Sequence, residues 1–224
     1  LAALVIGTLS PDLEYVLRLE PRGKFGHSPA GLVVFCLPVT LLVWYVWRSL
    51  VRPSLTPLLP PGLRRAAEAP PPGRRSDLLP LAICAALLGA ATHILWDGFT
   101  HDTGWAVLLL PGMRGQAFAG LEWYSVCQFA SSIAGALIVL VWIAREWHRP
   151  PRDQRRFAPG QLARLLRVAA FVLFVTLAVA VWNAPPAEYL ALRLSRAFVG
   201  AMLGFAIGLV AYALFWRWRG GEGG

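Results

Sequence analysis

Long apolar runs, separated by short stretches rich in arginine, proline and glycine, organise this chain. Five runs, Ala30–Leu50, Leu78–Asp97, Gln128–Ala144, Ala163–Trp182 and Ala197–Trp216, approach the roughly 20 apolar residues a helix needs to cross a bilayer. Leu1–Ser10 reads as the end of a sixth run, stopped by Pro11, which has no N–H to continue the helical ladder. The chain opens on Leu1 inside that apolar stretch, which implies a preceding segment. The pattern predicts an all-α, polytopic transmembrane bundle of about six spans with the first truncated. Tryptophans such as Trp44, Trp47, Trp96, Trp123, Trp147, Trp182 and Trp216 fall near the predicted ends, where an amphipathic ring favours the headgroup layer.

Composition agrees with this reading. Of 224 residues, 57% are hydrophobic and 15% charged, and the mean hydropathy is +0.56. A soluble domain carries roughly 25% charged residues, so a globular enzyme in water is excluded. The net charge of +9 would suit nucleic acid, but the positions of the charges argue for topology instead. Most of the 21 basic residues fall in alternate connections, at Arg48–Arg75, Arg145–Arg167 and Arg217–Arg219. By the positive-inside rule those connections and the C-terminus are cytoplasmic, and no nucleic-acid partner is expected. The other side holds only Arg18, Arg22, Lys24, Arg114, Arg193 and Arg196. Three regions follow: residues 1–144 as a helical membrane domain, 145–162 as a basic cytoplasmic linker suited to anionic headgroups, and 163–219 as a C-terminal helix pair. Within the first, residues 52–77 are proline- and arginine-rich and read as a flexible cytoplasmic loop. Cys36, Cys84 and Cys127 lack the spacing of a zinc site or a disulfide framework and read as buried, inert thiols.

The remaining ionisable residues gather on the outward side. His93 and Asp97 are four apart in the third apolar segment, so a helix brings them to one point. Stepping backward by four gives Gly89 and Ala85, a small-residue stripe suited to contact with a partner helix. His101 joins them only if the helix continues past Gly98 or the chain turns back there. Asp12 and Glu14 follow the first segment, and His27 precedes the next. Two imidazoles and two carboxylates form a ligand set for zinc, manganese or iron, which makes Asp12, His27, His93 and Asp97 candidate metal ligands. Glu14 is a candidate ligand or general base, and His101 a candidate proton relay. The same pattern also fits a His93–Asp97 hydrogen bond that fixes helix packing, or an interfacial anchor. Gly200, Gly204 and Gly208 mark a close-packing helix face, within one chain or between two. Gln128–Ser132 reads as helix packing or as outer support for the cluster.

The segments IGTLSPDLEY, FGHSPAGL, LLGAATHILWDGFTHDTGW and QFASS, in that order, resemble a bacterial family of multi-spanning membrane proteins, domain of unknown function 4184. The resemblance runs from Leu1 to about Ala144, while the two later helices agree only in hydropathy. The chain is similar, more distantly, to the membrane-bound metal-dependent hydrolases. Their Pro-Asp pair, Thr-His-Ser element and His-x-x-x-Asp followed by Thr correspond to Pro11-Asp12, His27-Ser28, and His93, Asp97 and Thr100. Where that pattern continues with Asp and His, this chain has Glu14 and Tyr15.

The resemblance implies a metal-dependent hydrolase of the bacterial cytoplasmic membrane. Its divalent metal, taken as zinc, would act on a lipid or envelope-precursor ester at the outer face. An ion-coupled transporter and a non-catalytic membrane scaffold are the alternatives.

Overall fold

A computed structural model describes residues 1–68, 78–118, 120–148, 159–184, 186 and 189–221. Its helices are α1 (Ala2–Leu9), α2 (Leu13–Arg18), α3 (Pro29–Leu58), α4 (Pro61–Glu68), α5 (Leu78–Thr100), α6 (Trp105–Leu109), α7 (Trp123–Trp147), α8 (Gln161–Trp182) and α9 (Leu190–Trp218). Among the described residues, five helices (α3, α5, α7, α8 and α9) are long and apolar enough to cross a membrane. The only described strands, Gln116–Phe118 and Leu121–Glu122, form a small antiparallel pair ahead of α7.

Local chemistry sets the helix boundaries. Ser28 caps α3: its hydroxyl accepts the Gly31 N–H at 2.9 Å, and Pro29 follows at the first turn. Within α3 the helix widens to π turns at Leu32–Cys36 and Trp47–Val51. Pro38 and Pro53 lie just beyond these turns, and each removes one N–H from the ladder. Leu19 ends α2 in the left-handed conformation at φ 57°.

Two backbone-to-backbone contacts hold the bundle. A Cβ added at Gly7 would lie 2.6 Å from the Ala86 carbonyl oxygen, and one at Gly89 would meet the Leu4 carbonyl and lie 2.8 Å from Thr8 N. α1 and α5 therefore cross at glycine, where Gly89 of the predicted stripe meets α1 together with Ala86, while Ala85 is only half-buried. The second contact joins α8 to α9. Cβ atoms at Gly200 and Gly204 would approach the Val179 oxygen at 2.7 Å and Thr176 Cα at 2.8 Å. The glycine face of α9 is thus used within the chain. Gly204→Ile is expected to cost about 1–3 kcal/mol by forcing these backbones apart, read as a lowered thermal midpoint. An unchanged midpoint would mean that this contact does not stabilise the fold.

Cross-bundle hydrogen bonds define two ends. At one, Asn183 donates to the Leu19 carbonyl at 3.2 Å and Arg196 meets Glu20 at 3.0 Å. At the other, Gln161 donates to the Pro57 and Leu59 carbonyls at 3.1 and 2.9 Å, and Tyr212 to the Ser54 carbonyl at 3.5 Å. α7 has no buried residue and a strongly apolar span, as suits a helix that leaves most of its surface to lipid.

Two expectations are corrected. Residues 52–58 and 61–68 are helical, joined by an extended Leu59, rather than a flexible loop, with Ser54 and Leu58 buried and Arg52 Nε donating to the Ala67 carbonyl at 2.7 Å. Pro61 opens α4, where a missing N–H costs nothing. Pro53 follows the π turn at Trp47–Val51 and Pro57 sits in the tightened last turn of α3, and these irregular turns accommodate the N–H that each removes. Cys84 is exposed rather than buried, because an apolar helix in lipid has no polar side to mark its outward face. Residues 69–77 of the predicted loop, 149–158 of the predicted linker, and Arg74, Arg75, Arg149, Arg152, Arg155 and Arg156 lie outside the described residues.

Candidate metal centre

Three separate segments deliver the cluster. The α1–α5 crossing sets Asp12, five residues past Gly7, beside His93, four residues past Gly89. His27 arrives from the turn that leads into α3. Asp12, His27 and His93 each bring one ligand atom to within 4.8 Å of the others. His27 Nε2 lies 3.4 Å from Asp12 Oδ1 and 3.3 Å from Asp97 Oδ2. His93 Nε2 lies 3.7 Å from Asp12 Oδ1 and 3.1 Å from Asp97 Oδ2. The two rings are tilted, with centroids 5.5 Å apart.

None of these approaches has hydrogen-bond geometry, so Nε2 of both His27 and His93 is buried without a hydrogen-bond partner among the described residues. A buried imidazole nitrogen without a partner is uncommon, because leaving it unsatisfied costs roughly 1–3 kcal/mol. The spacings instead fit a shared cation. Zinc bonds of roughly 2.0–2.1 Å at tetrahedral angles separate neighbouring donors by about 3.3 Å. The donor set is also chemically apt, since neutral imidazole and carboxylate are common zinc ligands.

Surrounding groups hold the clustered side chains in place. Glu14 is 4% exposed and does not face the cluster. Its Oε2 accepts the Gly26 N–H at 2.8 Å and its Oε1 meets Arg18 at 2.8 Å. Burial raises the Glu14 pKa, but the Gly26 N–H and Arg18 outweigh it and leave the carboxyl below its ordinary value. The Cys36 thiol donates to the Gly26 carbonyl at 3.3 Å. Gly26 is therefore gripped on both its N–H and its carbonyl, which fixes the position of His27 next to it. Tyr15, whose role the spacing did not reveal, stacks on His27 with ring centroids 5.8 Å apart. Burial, and then Asp12, Asp97 and Glu14, push its phenol up to about 12, so it stays protonated. The available signal was its place three residues past Asp12, on the same helical turn.

α5 continues through Gly98 to Thr100, and the His101 N–H still bonds to the Asp97 carbonyl at 3.2 Å. The His101 ring consequently reaches Asp97, with Nδ1 at 3.7 Å from Oδ1 and 3.2 Å from the Thr100 hydroxyl. Its side chain is 48% exposed, at the open edge of the cluster. Gly98 is small because the Trp105 indole packs against it where the chain turns back into α6. Ser131 accepts a hydrogen bond from Trp96 Nε1 at 3.2 Å and ties α7 to α5 without touching the cluster.

Five long apolar helices with an imidazole–carboxylate cluster at one end define a multi-pass helical membrane protein carrying a candidate metal site. The chain belongs to the family described as domain of unknown function (DUF4184), whose model matches residues 1–214. That match extends through α8 and into α9, so the later helices share more than hydropathy with the family. No curated protein and no solved structure matches the chain.

Proposed function

We propose that this protein is a divalent-metal-dependent hydrolase that acts on an ester at the membrane–water interface. The observation that carries the reading is the convergence of Asp12, His27 and His93, from three separate segments, on one point. Asp97 completes a four-ligand set, and zinc suits the two imidazoles and two carboxylates. A zinc ion held there supplies Lewis acidity to an ester oxygen and acidifies water. His101, at the exposed edge beside Asp97, is placed to pass a proton to solvent or to a leaving group. The contacts of Glu14 favour a positioning role through Gly26 and His27 over that of general base.

The distant similarity to membrane-bound metal-dependent hydrolases supports hydrolysis. The arginine bias supports a cytoplasmic C-terminus and a cluster on the outward face of a bacterial cytoplasmic membrane, where a lipid or envelope-precursor ester is the accessible substrate. A non-catalytic scaffold is the competing reading, because the same side chains also bridge α1, α5 and the turn before α3.

Metal titration of chelator-treated protein in mild detergent tests the proposal. One zinc per chain and metal-dependent cleavage of a lipid ester are expected, and failure to bind any divalent metal would sink the reading. Binding should also depend on pH. Asp12, then Asp97, hold the His27 imidazolium and raise its pKa from 6.5 to about 9, against an opposing effect of burial. That contribution to metal-free stability is complete below about pH 6.5 and is lost as pH rises through 9. Metal requires the neutral ring, so affinity should rise with pH up to about 9 and uptake should release a proton. Calorimetry in buffers of different ionisation enthalpy measures that proton, and pH-independent affinity would contradict the assignment of His27.

A further inference from the structure

At the end of the bundle remote from the cluster, α8, α9 and the end of α3 enclose a cavity of about 650 Å³. Its walls are mainly apolar and aromatic, including Leu58, Phe171 and Phe215. Three cations, Arg164, Arg167 and Arg219, also line it. None of the three pairs with a carboxylate among the described residues. Arg164 Nε is buried with no hydrogen-bond partner, Arg167 spends only its Nε on the Ala163 carbonyl, and the Arg219 guanidinium lies 5.8 Å from the Phe215 ring centre. Unpaired guanidinium groups over an apolar wall, at a membrane end, match one chemistry: a phosphate joined to a hydrocarbon chain. The volume far exceeds what free phosphate fills, and the aromatic walls offer that ion nothing.

We infer that this cavity is a binding site for an anionic phospholipid, with its phosphate on Arg164, Arg167 and Arg219 and its upper acyl chain against Phe171 and Phe215. The site is independent of the metal cluster, which lies at the other end of the bundle.

The test uses the whole chain in neutral detergent, titrated with phosphatidylglycerol, phosphatidylcholine or inorganic phosphate while thermal unfolding and bound lipid by native mass spectrometry are followed. Saturable stabilisation by phosphatidylglycerol alone is expected. At roughly fivefold per arginine, the exposed Arg167→Gln should weaken binding about fivefold and the pair Arg164→Gln/Arg167→Gln about twenty-five-fold. Val168→Trp, which fills the cavity and leaves every charge in place, should weaken it about tenfold or more. Arg145→Gln, exposed at the same end but outside the cavity, should change nothing. Equal response to phosphatidylcholine, stabilisation by inorganic phosphate, equal loss in Arg145→Gln, or full affinity in Val168→Trp would each overturn the assignment.

Discussion

His93→Ala should reduce metal affinity by well over a hundredfold while leaving the metal-free protein folded. His93 reaches both carboxylates, at 3.1 Å from Asp97 and 3.7 Å from Asp12. Even groups that only orient a ligand are worth about 10–100-fold in metal affinity, so removing a ligand should exceed that range. The stability readout separates the metal site from a scaffold. At a hundredfold excess over its dissociation constant, bound metal stabilises the wild type by about 2.7 kcal/mol, and His93→Ala should show none of this. Wild type stripped by chelator and His93→Ala should then melt at similar temperatures, because the Nε2 atom that is lost has no hydrogen-bond partner among the described residues. A large loss of thermal stability in the metal-free variant, with no metal ever bound by wild type, would favour the scaffold.

The second large effect comes from a residue that touches no metal. Gly89→Ala adds a single methyl group, yet its Cβ would meet the Leu4 carbonyl and lie 2.8 Å from Thr8 N and 3.0 Å from Gly7 C. All of these are backbone atoms, so no side chain can rotate away and α1 must move off α5. Asp12 follows Gly7 by five residues across the stop at Pro11, and it moves with α1. Metal–ligand distances tolerate about ±0.2 Å, a displacement smaller than such a clash demands. Gly89→Ala should therefore lose metal affinity by about tenfold or more with every ligand still present, and should melt lower by the equivalent of about 1–3 kcal/mol. The more distant Gly112, where an added Cβ meets nothing within 4 Å, is the control, and Gly112→Ala should behave as wild type. Wild-type affinity and melting in Gly89→Ala would show that the helix crossing does not set the site.

Hydropathy was enough to read the spans, because a bilayer demands long apolar helices whatever packs against them. The four-residue step from His93 to Asp97 was equally legible, since helical periodicity alone makes them neighbours. Residues 52–68 misled, because Pro61 opens a helix while Pro53 and Pro57 are taken up by the irregular last turns of α3, and in sequence such prolines look like helix breakers. Cys84 misled for a related reason: in lipid, apolar character does not say which face is inside.

The sequence by itself determined the membrane class, the number of long helices and the identities of the candidate ligands. Tertiary structure decided how those residues meet. The Gly7–Gly89 crossing set Asp12 against His93, and the grip of Glu14 and Cys36 on Gly26 fixed His27. Tertiary structure also turned Glu14 away from the cluster and brought His101 to Asp97. The physical reason is range. Propensity and hydropathy act over one or two helical turns, whereas a metal site requires sub-ångström agreement between backbones far apart in the chain, which only their packing against one another can impose.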